Sequence, residues 1–173
     1  MFADVIDLKR LRLALIYMLT LVVLMFFQDT VFARLGLFGV KMLFIPAAIV
    51  AVSLFEGGFR GGLFGLLAGL LCDLTFPESS LLFTVLFPAI GFFSGLASEF
   101  WLSRSFTAYL TTAACALLVT ALCQMMRVVL VEPGSVLACL ITVLVQTLWS
   151  MPMAVVCYFL MGRIHRRWGR GKN

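Results

Sequence analysis

Asp29 and Asp73 are acids at the ends of long apolar runs, and two carboxylates that meet and share a proton can activate a water molecule. Such a dyad needs polar neighbours to hold that water. The chain offers few at similar depth: Gln28, Glu99, Gln124, Arg127 and Gln146. Ser94 and Ser150 have no histidine within the apolar segments to act as their base, because the single histidine, His165, falls in a basic tail. Cys72, Cys115, Cys123, Cys139 and Cys157 all lie in apolar runs without CxxC spacing, so they read as small hydrophobes rather than metal ligands or disulfide partners. No glycine-rich phosphate fingerprint is present. The expectation is therefore no catalytic residue, no cofactor and no metal.

The spacing that stands out belongs to side chains that are missing. Gly61, Gly65 and Gly69 recur every four residues and lead to Asp73, so on a helix they form one stripe ending in a carboxylate. Gly91 and Gly95 repeat the pattern and lead to Glu99. In lipid, where apolar surface gives no drive for helices to associate, small residues let backbones approach closely. These five glycines and Asp73 are the candidate positions for helix packing or partner binding, with Asp73 either pinning the bundle or meeting a partner's transmembrane helix. Asp29, Asp73 and Arg127 fall near the outer ends of the first, third and fifth apolar segments, which suggests a polar cluster holding those helices together.

The elements that must carry these residues follow from composition. Of 173 residues, 63% are hydrophobic and 12% charged, and mean hydropathy is +1.12, whereas soluble domains are about 45–50% apolar and about 25% charged. This is the profile of an integral membrane protein, with no room for a soluble domain. The expected architecture is all-α, a single polytopic domain over residues 1–173 with six transmembrane helices near 13–32, 42–55, 61–76, 80–99, 106–131 and 135–161. The second and third are short for a full crossing, which leaves open a thinned bilayer or a partly re-entrant hairpin shielded by protein.

Basic residues set the expected orientation. Lys9, Arg10 and Arg12 precede the first span, Arg163, Arg166, Arg167, Arg170 and Lys172 follow the last, and Arg60 and Arg104 fall on the same side, against Arg34, Lys41 and Arg127 opposite. Both termini are therefore expected in the cytoplasm. Trp101, Tyr109 and Tyr158 are expected at the inner membrane boundary. The basic tail reads as a topology anchor touching anionic lipid, not as a nucleic-acid reader. The basic and apolar N-terminus reads as a retained first helix rather than a cleaved signal.

Gln28-x-Thr30, Gly36-Leu37-Phe38-Gly39, Phe55-Glu56-Gly57 and the Gly61-x-x-x-Gly65-x-x-x-Gly69-Leu70-x-x-Asp73 helix, followed by a second glycine-containing helix, together resemble the rod shape-determining MreD family. The likeness covers roughly residues 11 to 100, and Gly69-Leu70-x-x-Asp73 is its sharpest part. It implies a non-enzymatic subunit of the bacterial cell-wall elongation machinery in the cytoplasmic membrane. Its implied partners are the bitopic protein MreC and, through it, the actin-like MreB, the glycosyltransferase RodA and a transpeptidase. It also implies a fold like the six-helix substrate-binding components of energy-coupling-factor vitamin transporters, and such a component is the alternative function. Those components dock through an Ala-x-x-x-Ala pair on helix one, whereas here Ala14 is followed four residues on by Met18.

Overall fold

The computed structural model describes residues 8–32, 42–75, 81–100, 105–131 and 136–168. Among them the chain is all-helical: α1 (Leu8–Phe27), which continues as a π-helical turn (Gln28–Phe32), α2 (Ile45–Glu56), α3 (Gly58–Thr75), α4 (Leu82–Phe100), α5 (Phe106–Val131) and α6 (Val136–Trp168). Five of these, all but α2, are long and apolar enough to cross a membrane. The chain is a multi-pass membrane protein.

The short helix is the centre. Every residue from Ile45 to Leu54 is buried, and α2 touches each of the other helices. A helix that is apolar on all sides has no face to give to a polar surface and is stable only when surrounded. The others are one-sided instead. On α1, Leu13, Tyr17, Leu21, Leu24 and Gln28 form the buried stripe, while Leu11, Leu15, Leu19, Val22 and Phe26 face outward. Exposed leucine and phenylalanine on this scale are what a lipid-facing wall requires.

The helix limits differ from those expected, and for physical reasons. α2 begins at Ile45 rather than residue 42, because Met42, Leu43 and Phe44 form a buried non-helical lead-in, with the Leu43 and Phe44 N–H groups taken by Ser150 and Gln28. α1 starts at Leu8, and α6 runs on to Trp168. Arginine at helical spacing does not end a helix, so the basic segment after Met161 simply continues it. At 33 residues α6 is about 50 Å long.

Gly57 makes the turn from α2 to α3. Its N–H closes α2 on Ser53 O at 2.8 Å, and its carbonyl accepts the Gly61 N–H at 2.9 Å to open α3. At φ 91° it sits in the left-handed region, and a Cβ there would also overlap the Glu99 carboxylate. Glycine meets both demands.

Candidate functional site

The α3–α4 pair is built on close backbone approach. A Cβ on Gly65 would overlap the Phe87 carbonyl, one on Gly69 the Phe83 carbonyl, and one on Gly61 the Ser53 side chain and Gly91 carbonyl. The reciprocal positions behave alike: a Cβ on Gly91 would overlap Gly61, and one on Gly95 would overlap Gly58. All five candidate glycines are buried within this chain. The two helices fill each other's glycine faces. Ser53 on α2 and Ser94 on α4 join the same contact, their hydroxyls 2.6 Å apart.

The two acids that end the stripes take up the neighbouring helix starts. Asp73 accepts the backbone N–H of Phe83 at 3.3 Å and of Thr84 at 2.7 Å, and the Thr84 hydroxyl at 2.6 Å. It acts on the first turn of α4 as an N-capping side chain would. Leu81, which precedes that helix with φ 63°, accepts the Val85 N–H through its carbonyl but has no side-chain acceptor for the first N–H groups. At the other end, Glu99 of α4 reaches the Gly58 N–H of α3 at 3.4 Å. In an antiparallel pair, the residue one turn past the last glycine stands over its partner's N-terminus, where free N–H groups and the helix dipole favour an acid.

The same device starts α2. Gln28 Oε1 accepts the N–H of Phe44 at 2.9 Å and of Ile45 at 3.3 Å, and Ser150 Oγ on α6 accepts that of Leu43 at 3.2 Å. Pro46, next in line, has no N–H to satisfy. Gln28 is 3% exposed and Ser150 fully buried. Non-helical backbone inside an apolar bundle is tolerable only with such partners.

Of the expected outer polar cluster, Asp29 lies half-buried in the π-helical turn. The Arg127 side chain lies outside the described residues. For a proteolytic dyad, Asp73 is poorly disposed, since both its oxygens are engaged by α4. Farther out, Gln146 on α6 donates from its amide to Gln124 Oε1 on α5 at 3.2 Å, joining that hairpin.

Two expectations need correction. Tyr109 is not a boundary aromatic: it is fully buried, and its hydroxyl donates toward Ala154 O at 2.8 Å and Ala47 O at 3.2 Å, tying α5 to α6 and α2. Trp101 lies outside the described residues, and Tyr158 is half-buried, its ring against those of Tyr109 and Phe55. His165 is not in a loose tail. It belongs to α6 and continues at helical spacing the buried face of Ala154, Cys157 and Met161, a signal present in the sequence but masked by the surrounding arginines.

There His165 meets groups from two other helices, α1 and α2. Its ring stacks on Phe55 with centroids 5.2 Å apart, and Nδ1 lies 3.2 Å from the Tyr17 hydroxyl and 3.3 Å from Glu56 Oε1. Arg60 of α3 bonds the second Glu56 oxygen. The Glu56 side chain is only 6% exposed. Burial pushes its carboxyl upward, but the hydrogen bonds and charges of His165 and Arg60 outweigh that and hold it below the usual carboxylate range.

Among the described residues, no three His, Cys, Asp or Glu side chains stand close enough to hold a metal ion. A shallow apolar cleft between α1 and α3 is lined by Met18, Leu21, Met25, Phe64, Ala68 and Leu71, without a polar group to orient a ligand. Comparison with protein-family models, curated proteins and solved structures gave no match.

Proposed function

We propose that this chain is a non-catalytic membrane scaffold of the bacterial cell-wall elongation machinery, the role its resemblance to the MreD family implies. Its partners on this reading are an MreC-like bitopic protein and, through it, MreB, RodA and a transpeptidase. The carrying observation is how the buried polar side chains are used. Gln28, Ser53, Ser94, Tyr109, Gln146 and Ser150, and with them the half-buried Asp73, each spend hydrogen bonds on another segment of the same chain. Those groups stiffen a bundle rather than converge on a small molecule, which favours work done through the outer surface.

In this reading the chain crosses the bacterial cytoplasmic membrane six times with both ends inside, in an arrangement like that of vitamin-transporter substrate components. The twelve residues of α2 rise about 18 Å, and its buried lead-in adds at most about 10 Å, which approaches the roughly 30 Å hydrocarbon core. A cysteine introduced at Phe59, 82% exposed beside the α2–α3 turn, should label from the cytoplasmic side in a cysteine-free background. Labelling from outside overturns the topology.

The function is tested by affinity capture of the full chain from native membranes, together with its depletion in growing cells. Co-capture of the bitopic partner and rounding of the cells are expected. A chain that purifies alone with a bound vitamin, or with a transporter ATPase, overturns the scaffold in favour of the transporter component.

A further inference from the structure

The inner end of the bundle carries a group of ionisable side chains that the scaffold reading does not use. One nitrogen, His165 Nδ1, faces two oxygens of opposite preference: the Tyr17 hydroxyl at 3.2 Å and the Glu56 carboxylate at 3.3 Å. A carboxylate only accepts, so it favours a proton on Nδ1, most strongly when the whole ring is cationic. A phenol donates well to an Nδ1 that has lost its proton, which places the ring hydrogen on Nε2 and leaves the carboxylate facing a lone pair. The two arrangements draw on different helices, since Tyr17 belongs to α1 and Glu56 to α2.

We propose that Tyr17, Glu56 and His165 form a proton-binding site that sets how firmly the inner ends of α1 and α6 hold to the α2–α3 turn. With the proton bound, His165 pairs with Glu56 and α6 is clamped to the turn. With the proton lost, Tyr17 donates to the ring and the ionic hold on α2 is released. Of the three side chains the imidazole is the one suited to exchanging a proton near neutrality, so it is the proton-binding member of the group.

Among the described residues, the other charges near the site have the following places. Arg60 on α3 occupies the second oxygen of Glu56, so a proton on His165 leaves the group net positive. Glu99 on α4 is turned to the Gly58 N–H. On α6 itself Arg163, Arg166 and Arg167 are exposed, and Arg12 on α1, also exposed, has interactions of its own. α5 brings Tyr109, whose hydroxyl is engaged by Ala154 and Ala47. Glu56 is thus the acid paired with the ring, and Tyr17 the phenol.

His165 is the only histidine in the chain, so selective isotope labelling gives one imidazole signal from the full protein in phosphatidylethanolamine–phosphatidylglycerol nanodiscs. The site requires opposite responses from two conservative variants. Glu56→Gln removes the anion that favours the cationic ring and should lower the titration midpoint, whereas Tyr17→Phe removes the donor that favours the neutral ring and should raise it. Midpoints that stay in place, or move in the same direction, overturn the proposal.

Hydrogen exchange over residues 162–168 reads the mechanical consequence. Relative to His165→Gln at the same pH, the native chain should exchange roughly tenfold more slowly at about pH 6, a ratio expected from one charged hydrogen bond. By about pH 8 the ratio should fall to less than half of that. A ratio that is the same at both values overturns the clamp even if the ring titrates.

Discussion

Gln28 caps a helix to which it does not belong: its side-chain oxygen accepts the Phe44 N–H at 2.9 Å, sixteen residues along the chain. It ends the buried stripe of α1 that begins with Leu13, and Tyr17 stands near the other end beside Glu56. α1 therefore touches the start of α2 through Gln28 and reaches the finish of α2 through Tyr17 and His165. A short helix buried on every side is located by those two polar ends as much as by packing, because apolar contact alone does little to fix a helix along its axis.

Gln28→Met keeps the length of the side chain and removes the acceptor, leaving the Phe44 and Ile45 N–H groups buried without it. We expect a loss of about 2–6 kcal/mol, at roughly 1–3 kcal/mol for each of the two unsatisfied groups. Ser150→Ala frees only the Leu43 N–H and should cost about half as much. Thermal unfolding of the purified chain in one detergent measures both. Equal, negligible losses would show that the lead-in to α2 does not depend on these caps.

Gly65→Ala and Gly62→Ala differ by less than one helical turn yet should behave oppositely. A Cβ on Gly65 overlaps the Phe87 carbonyl, a backbone atom that cannot rotate away, while one on Gly62 meets Phe92 Cβ at an ordinary 3.5 Å. The first should cost about 1–3 kcal/mol as α3 and α4 are forced apart. The second should be neutral or gain up to about 1 kcal/mol from helix propensity. The same unfolding assay decides, and similar behaviour of the two would mean that α3 and α4 are not in tight contact.

Asp73→Asn keeps one acceptor for the start of α4 but loses the charge and the second oxygen, whereas Asp73→Leu loses everything. A capping role ranks them: the asparagine variant should cost about 1 kcal/mol and the leucine variant about 2 kcal/mol or more. Thr84→Val, which removes only the 2.6 Å hydroxyl contact, should fall near the asparagine variant. If leucine at Asp73 is as stable as the native residue, the acid is there for something other than the cap.

The glycine and acid spacing could be read before any coordinates because it is local: four-residue steps put Gly61, Gly65, Gly69 and Asp73 on one face whatever surrounds the helix. What fills that face is a tertiary fact. Only the fold shows that the backbone of α4 occupies it, Gly91 against Gly61, Phe87 against Gly65 and Phe83 against Gly69. The buried non-helical start of α2 was illegible for a related reason, since Met42-Leu43-Phe44 is as apolar as the helix after it and its partners, Gln28 and Ser150, lie on distant segments. His165 was hidden by composition, because the arginines beside it outweigh the single inward-facing position it occupies. Hydropathy reports the average of a segment, and a buried pair is made by individual faces.

Glu56 should set the acid limit of the fold. Its carboxyl is held below the ordinary value of 4.5, with His165 and Arg60 outweighing the upward push of burial. A group whose folded value is depressed contributes stability that is fully present above the unfolded value and is lost as pH falls through the folded one. On the acid side the contribution should therefore be intact just above the ordinary carboxylate value of 4.5 and drain away at lower pH as the folded carboxylate takes up its proton. Glu56→Gln never carries the charge, so its midpoint of thermal unfolding should lie below that of the native chain near neutral pH and approach it as the solution is acidified. Arg60→Gln removes one of the two cations and should move the acid limb of the native curve to higher pH without abolishing it, because His165 remains in place. If the native chain and Glu56→Gln lose stability in parallel on acidification, the ion pair at the inner end contributes nothing, and the cost of burying that carboxylate has to be met by packing alone.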